Sequence, residues 1–265
     1  MIIAIVYIGY LIIGSVAGIL GGLLGIGGGV VTVPCLLYMF HLLNFPQPYI
    51  MHMAVATSLS AMIFNTAAAT WAHHQRGNIL WGVFKKMVPG FIIGSIVGAI
   101  IAIWLSGVFL EIIFGVFLCS LAFFFYRKKA VHHIGAHKLP SSRVLSFYCC
   151  CIGAFSNLLG IGGGSLVVPL LTTFKITDRK AIGTSAASTL VTTILGTLTY
   201  LMIGRTGAHN LETVRLINLP AFFIIGIAAF FCAPFGVRLT HEISPDRVRK
   251  IFAIVLALTG LSLIF

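Results

Sequence analysis

Almost all of this sequence lies in apolar runs long enough to cross a lipid bilayer, and that limits the folds open to it. A spanning helix needs about 20 apolar residues. Such runs occupy 2–43, 51–72, 82–104, 108–126, 144–174, 182–203, 217–238 and 247–265. Of the 265 residues only 8% are charged and 59% are hydrophobic, whereas soluble domains carry about a quarter charged residues. So few charges cannot coat a water-soluble surface, and they exclude a disordered chain, which is polar and charge-rich. The expected fold class is an all-α polytopic membrane protein.

Two runs, 2–43 and 144–174, are too long for one span, and each is interrupted by the same words: LLGIGGG ending at Gly29 and LLGIGGG ending at Gly164. Each glycine costs a helix about 1 kcal/mol relative to Ala, and Pro34 and Pro169 follow five residues later. These runs therefore divide into 2–23 with 29–43, and 144–159 with 164–174. GGLLGIGGGVVTVPCLL (21–37) and SNLLGIGGGSLVVPLLT (156–172) agree at ten of 17 positions. AVATSLS (54–60) matches AIGTSAA (181–187), and Pro89 matches Pro220 ahead of a span. The chain thus divides into a first transmembrane repeat (1–126), a basic linker (127–141) and a second repeat (142–265).

Five segments per half would invert the second copy, and loop charge tests this because Lys and Arg favour the cytoplasmic side. Loops 44–50 and 105–107 carry no Lys or Arg, while 73–86 carries Arg76, Lys85 and Lys86. In the second half the pattern swaps: Lys175, Arg179 and Lys180 fill the counterpart of 44–50, and Arg238, Arg247, Arg249 and Lys250 the counterpart of 105–107. Loop 204–216 has only Arg205 and Arg215, offset by Glu212. The expectation is two inverted repeats of five segments with glycine-broken helices, the linker in the cytoplasm and both termini outside. Full crossings and re-entrant hairpins give the same parity. The first segment lacks a basic leader and a small-residue cleavage site, so it is expected to stay as a span.

Broken helices survive in a bilayer only where protein or a wet cavity surrounds them, and inverted-repeat transporters place their sites there. A helix N-terminus offers unpaired N–H groups and about half a positive charge, which suits an anion. The candidate substrate contacts are Gly27, Gly28 and Gly29, their copies Gly162, Gly163 and Gly164, and the hydroxyl of Ser165. Thr57 with Ser58, and Thr184 with Ser185, form a duplicated hydroxyl pair. Asn65 and Thr66 lie further along the first copy, with Thr192 and Thr193 in comparable places. Asn157, where the first copy has Gly22, breaks the symmetry. Against these stand two plain structural roles: glycines that only let helices pack closely, and hydroxyls bonded to their own i−4 carbonyl.

The net charge of +12 does not indicate nucleic-acid binding, because the Lys and Arg residues sit in short segments between apolar runs. The five acids, Glu111, Asp178, Glu212, Glu242 and Asp246, fall in loops or at span ends. A mid-membrane carboxylate, costly and kept for function, is missing, which argues against cation transport and against a carboxylate-based enzyme. Ser58 or Ser185 with a His lacks the G-x-S-x-G setting of a hydrolase. The six Cys lie in apolar stretches without C-x-x-C spacing and read as buried thiols. His132, His133 and His137 read as solvated linker residues, His73 and His74 as the cytoplasmic end of the third segment, and His52 as a substrate contact or a water-facing side chain. No metal, cofactor or nucleic acid is expected; the partners are a small anionic substrate and the bilayer. Oligomeric state stays open, a homodimer being one option.

GGLLGIGGGVVTVP, NLLGIGGGSLVVP, the A-x-x-T-S-x pairs and WAHHQRGNILW (71–81) resemble the TauE/SafE family of sulfite-exporter-like membrane proteins, over nearly the whole chain. The resemblance implies a multi-pass transporter of the bacterial inner membrane for sulfite, sulfoacetate or related organosulfonates, the alternative being an anion channel of the same fold. The chain departs from the family at Ala56, where a Gly is usual, and at Ile79-Leu80, where Val-Asp usually precedes Trp81.

Overall fold

The computed structural model describes residues 2–127, 139–204, 213–239 and 245–264. Ten α-helices follow one another: α1 (Ile2–Leu24), α2 (Gly29–Leu42), α3 (Ile50–Gln75), α4 (Trp81–Trp104), α5 (Gly107–Arg127), α6 (Ser142–Leu158), α7 (Gly164–Thr173), α8 (Asp178–Ile203), α9 (Leu219–Leu239) and α10 (Pro245–Ile264). Among the described residues six helices are long and apolar enough to cross a membrane: α1, α3, α4, α5, α8 and α9. Most of the linker, including His132, His133 and His137, lies outside the described residues, as do Arg205 and Glu212.

The glycine clusters do break the chain, at 25–28 and 159–163. In each break the first, third and fourth residues of GIGG take positive φ: Gly25, Gly27 and Gly28, then Gly160, Gly162 and Gly163. The helices that restart are short. α2 has 14 residues and α7 has 10, so at 1.5 Å per residue they measure about 21 and 15 Å. A bilayer core is about 30 Å thick, so neither crosses it. A Cβ on Gly9 would lie 2.7 Å from Met39 Cε, and one on Gly28 would lie 2.8 Å from the Ala17 carbonyl oxygen. α2 therefore folds back along α1 as a hairpin.

Contacts set the helix directions. Gly14, Gly18 and Gly22 meet the backbone of Ile225, Ala229 and Ala233 in ascending order, so α1 and α9 run parallel. Gly90, Gly94 and Gly98 meet Ser146, Cys150 and Ala154 in the same way, so α4 and α6 run parallel. Both are four-residue ladders of small residues that let backbones approach closely, as membrane helices do. Phe64 packs near Phe222, and Ala68, Ala69 and Ala72 cluster with Ala233 and Val237, so α3 parallels α9. Leu59 reaches Gly196, while Ala68, Ala69 and Ala72 cluster with Ala186, so α8 opposes α3. Thus α1, α3 and α9 point one way, and α4, α6 and α8 the other.

α3 and α8 occupy the centre, their small and polar residues enclosed. Thr57, Ser58, Thr184, Ser185, Ser188 and Thr189 are fully buried, whereas Ile8, Leu11, Ile93, Val97 and Phe231 of the outer helices are exposed. This polar-in, apolar-out arrangement suits lipid as solvent. Helix directions also sort charge. Arg76, Lys85, Lys86, Arg127, Arg143, Lys175, Arg179, Lys180 and Arg238 all fall at the face where α3 and α9 end and α4, α6 and α8 begin. Of the described cationic side chains only Arg215 lies at the opposite face. There the apolar stretch from 217 begins as a strand pair, Thr213–Val214 with Ile217–Asn218, turning at Arg215 (φ 56), before α9 starts at Leu219. This small β-ribbon corrects the expectation of helix from 217.

Candidate functional site

The two glycine breaks cross each other at the centre of the protein. A Cβ on Gly29 would sit 2.6 Å from the Gly160 carbonyl oxygen and 2.8 Å from Ile161 Cα. A Cβ on Gly164 would overlap the Gly25 carbonyl oxygen and lie 2.7 Å from Ile26 Cα. Each restarting helix thus begins against the other break, backbone on backbone. Close packing, the plain role weighed for these residues, accounts for Gly29 and Gly164.

The duplicated hydroxyls hold this crossing together. Ser58 Oγ donates to the Gly160 carbonyl at 3.1 Å, and Ser185 Oγ donates to the Gly25 carbonyl at 2.9 Å. Thr57 Oγ1 accepts from the Asn218 N–H at 3.0 Å, and Thr184 Oγ1 accepts from the Leu80 N–H at 3.0 Å. Every one of these bonds joins one half of the chain to the other. The Thr acceptors serve the residues that precede α9 and α4, where helix starts leave N–H groups without intrahelical partners. The sequence suggested substrate contacts at Thr57, Ser58, Thr184 and Ser185; in the structure each of these oxygens has a backbone partner.

Two further side chains bind the breaks from within their own halves. Asn65 Nδ2 donates to the carbonyls of Gly27 at 2.8 Å and Ala17 at 3.2 Å. Thr192 Oγ1 donates to the carbonyl of Gly162, the copy of Gly27. Thr66 and Thr193 bond to carbonyls of their own helices, Met62 and Leu190 respectively. His52 Nε2 lies 3.1 and 3.0 Å from the carbonyls of Ala102 and Leu105, and so caps the end of α4. It also lines a half-open recess of about 630 Å³ with Gln47, Trp104, Ser106 and Glu111, at the face that carries Arg215. His73, read as a helix-end residue, is buried, with Nε2 3.3 Å from the Gly22 carbonyl.

What remains for a ligand is a set of donors around the helix starts. α2 and α7 have Gly28 (φ 89) and Gly163 (φ 92) at their N-caps, with no side-chain cap. Both occupy the left-handed region that only glycine enters without cost. The N–H groups of Gly28, Gly29, Gly163 and Gly164 meet no acceptor among the described residues. Ser165 Oγ and Ser156 Oγ are buried, unpartnered hydroxyls able to donate, whereas Asn65 Oδ1 and Asn157 Oδ1 are buried, unpartnered acceptors, the latter against Gly196 of α8. Buried polar groups are nearly always hydrogen-bonded, so these unpartnered atoms call for an explanation. Ser156, beside Gly163, is absent from the sequence-based set. Its signal was there: it stands at the position of Gly21 in the repeat alignment. Among the described residues no group of three His, Cys, Asp or Glu side chains could hold a metal.

Comparison with known proteins places the chain among membrane transporters. Residues 10–263 match the family model described as sulfite exporter TauE/SafE. A probable membrane transporter protein of Haemophilus influenzae is 29% identical, with 96% of each chain covered. One from Methanocaldococcus jannaschii is 27% identical over 95% of this chain and 92% of its own. One from Bacillus subtilis is 26% identical over 96% of both. No solved structure matches the chain.

Proposed function

We propose, from the premise that this chain belongs to the sulfite exporter TauE/SafE family, that it transports a small sulfur-containing anion, sulfite or an organosulfonate such as sulfoacetate. The anion binds where the glycine breaks cross, and the two halves, as inverted repeats, rock about that point to expose it to each side in turn. The observation that carries this reading is the meeting of two uncapped helix starts, with free N–H groups and buried unpartnered hydroxyls, at the contact between the halves. Helix N-termini attract anions, and discontinuous helices at a repeat interface mark transporter sites. Cross-half bonds made by single hydroxyls can break and re-form, each worth about 1 kcal/mol net.

Uptake by the purified protein in liposomes tests the reading, with sulfite, sulfate, thiosulfate, sulfoacetate, acetate and chloride compared. Saturable uptake of a sulfur oxyanion over acetate and chloride is expected. Folded protein that moves none of them would return the substrate to unknown.

The orientation follows from charge. We place the face rich in Lys and Arg in the cytoplasm of a bacterial-type inner membrane, which puts the start of α1 and the end of α10 outside. With the native cysteines replaced, Ser106→Cys should react with an impermeant maleimide added outside intact cells, and Arg179→Cys should not. The reverse labelling pattern would invert the topology.

A further inference from the structure

The two breaks share a backbone but not their surroundings. Aligning the halves pairs Gly21 with Ser156, Val30 with Ser165, Met62 with Thr189 and Asn65 with Thr192. On the α2 side the space is filled: a Cβ on Gly28 would lie 2.8 Å from the Ala17 carbonyl and 2.9 Å from Asn65 Nδ2. Met62 closes off the middle, its Cε within 2.8 Å of a Cβ placed on Gly162 and nearer still to one on Gly27. On the α7 side a Cβ on Gly163 would fit without a clash, and the first atom it would meet is Ser156 Oγ, at 3.6 Å. That hydroxyl and Ser165 Oγ are fully buried without partners. The Ser156 hydroxyl and two unpaired N–H groups therefore meet at the start of α7, with Ser165 in its first turn, and the equivalent start of α2 has Gly21 and Val30 in place of the two serines.

Every donor there is neutral. The buried polar side chains of the described protein are Ser, Thr, Asn and two His; no Lys or Arg is among them. The cost of burying an ion rises with the square of its charge, so a second charge costs about three times as much again as the first. A helix start supplies only about half a positive charge. Resting on the transport reading above, we propose that the site lies at the N-terminal turn of α7 alone, on Ser156, Ser165 and the N–H groups of Gly163 and Gly164. It takes a singly charged sulfur oxyanion, hydrogensulfite or R–SO3⁻ with an uncharged R, and rejects dianions such as sulfate; this narrows the candidates above and removes sulfoacetate, whose carboxylate makes it a dianion at neutral pH.

The test uses the full chain in liposomes with radiolabelled methanesulfonate, and with sulfate and unlabelled methanesulfonate as competitors. Methanesulfonate should be taken up saturably, and sulfate should compete at least tenfold more weakly. Ser156→Ala and Ser165→Ala should each raise KM about tenfold, the loss expected for one hydrogen bond to a charged group, with the maximal rate and melting midpoint little changed. Ser165→Thr should restore KM, and Val30→Ala, at the matching place on α2, should leave it unchanged. Sulfate competing as well as methanesulfonate would overturn the charge selectivity, and unaltered KM in both serine variants would overturn the location. Either result leaves the transport reading standing; no saturable uptake of any anion in the wider panel removes both.

Discussion

A Gly163→Ala chain should fold, reach the membrane and carry almost no substrate, while Gly164→Ala, one residue on, should lose its native packing. The difference lies in what a Cβ meets. At Gly163 it meets ordinary van der Waals contacts and no clash, Ser156 Oγ at 3.6 Å being its nearest neighbour. The cost is the left-handed backbone (φ 92), about 1–2 kcal/mol for a non-glycine residue. The methyl would then stand where the anion is proposed to bind, and displacement of a substrate by about 1 Å costs on the order of 100-fold in rate. At Gly164 the methyl would overlap the Gly25 carbonyl oxygen and press on Ile26 Cα, both backbone. Neither break can yield without parting the halves, so the loss should reach the upper end of overpacking costs, about 3 kcal/mol. Size-exclusion profiles, melting midpoints and uptake read the two outcomes separately. Normal transport by Gly163→Ala would remove the site from the start of α7.

Replacing Thr57 and Thr184 together by Val should melt the protein well below the parent. Val keeps the shape of Thr and removes the oxygen, leaving the N–H groups of Asn218 and Leu80 without the acceptors they have at 3.0 Å. A buried donor left unsatisfied costs about 1–3 kcal/mol. The two bonds serve different helix starts, so the double variant should show nearly the sum. Chemical unfolding in detergent measures it. An unchanged double variant would mean that these oxygens are not what joins the halves.

The spans were legible because one rule dominates in a bilayer. A run of about 20 apolar residues forms a helix, and the runs read as 51–72, 82–104 and 182–203 lie within α3, α4 and α8. The breaks were legible because LLGIGGG costs helix stability wherever it falls. The lengths of α2 and α7 were not, since an apolar run says where a helix can exist, not whether it crosses. Partnerships across the chain were also hidden. Ser58 bonds to Gly160, 102 residues away, and Ser185 to Gly25, 160 residues away, and no local pattern announces either. The hydroxyl pairs stood out by duplication, which marks importance without distinguishing a ligand contact from a strut. The glycines at 14, 18 and 22, and at 90, 94 and 98, are a readable packing signal, and their contacts with α9 and α6 give it meaning. Ser156, like Asn157 beside it, pairs with a glycine of the first copy, but no local pattern tells that its hydroxyl faces the start of α7.

Counterflow in liposomes examines the transport mechanism most directly. Vesicles holding the purified protein are preloaded with unlabelled organosulfonate, diluted, and given a trace of the labelled compound outside. Alternating access about the crossed breaks predicts transient accumulation of label above the external concentration, abolished by Gly163→Ala and not elicited by preloaded acetate. Label that only equilibrates, at a rate linear in concentration and indifferent to preloading, would contradict alternating access and describe a channel.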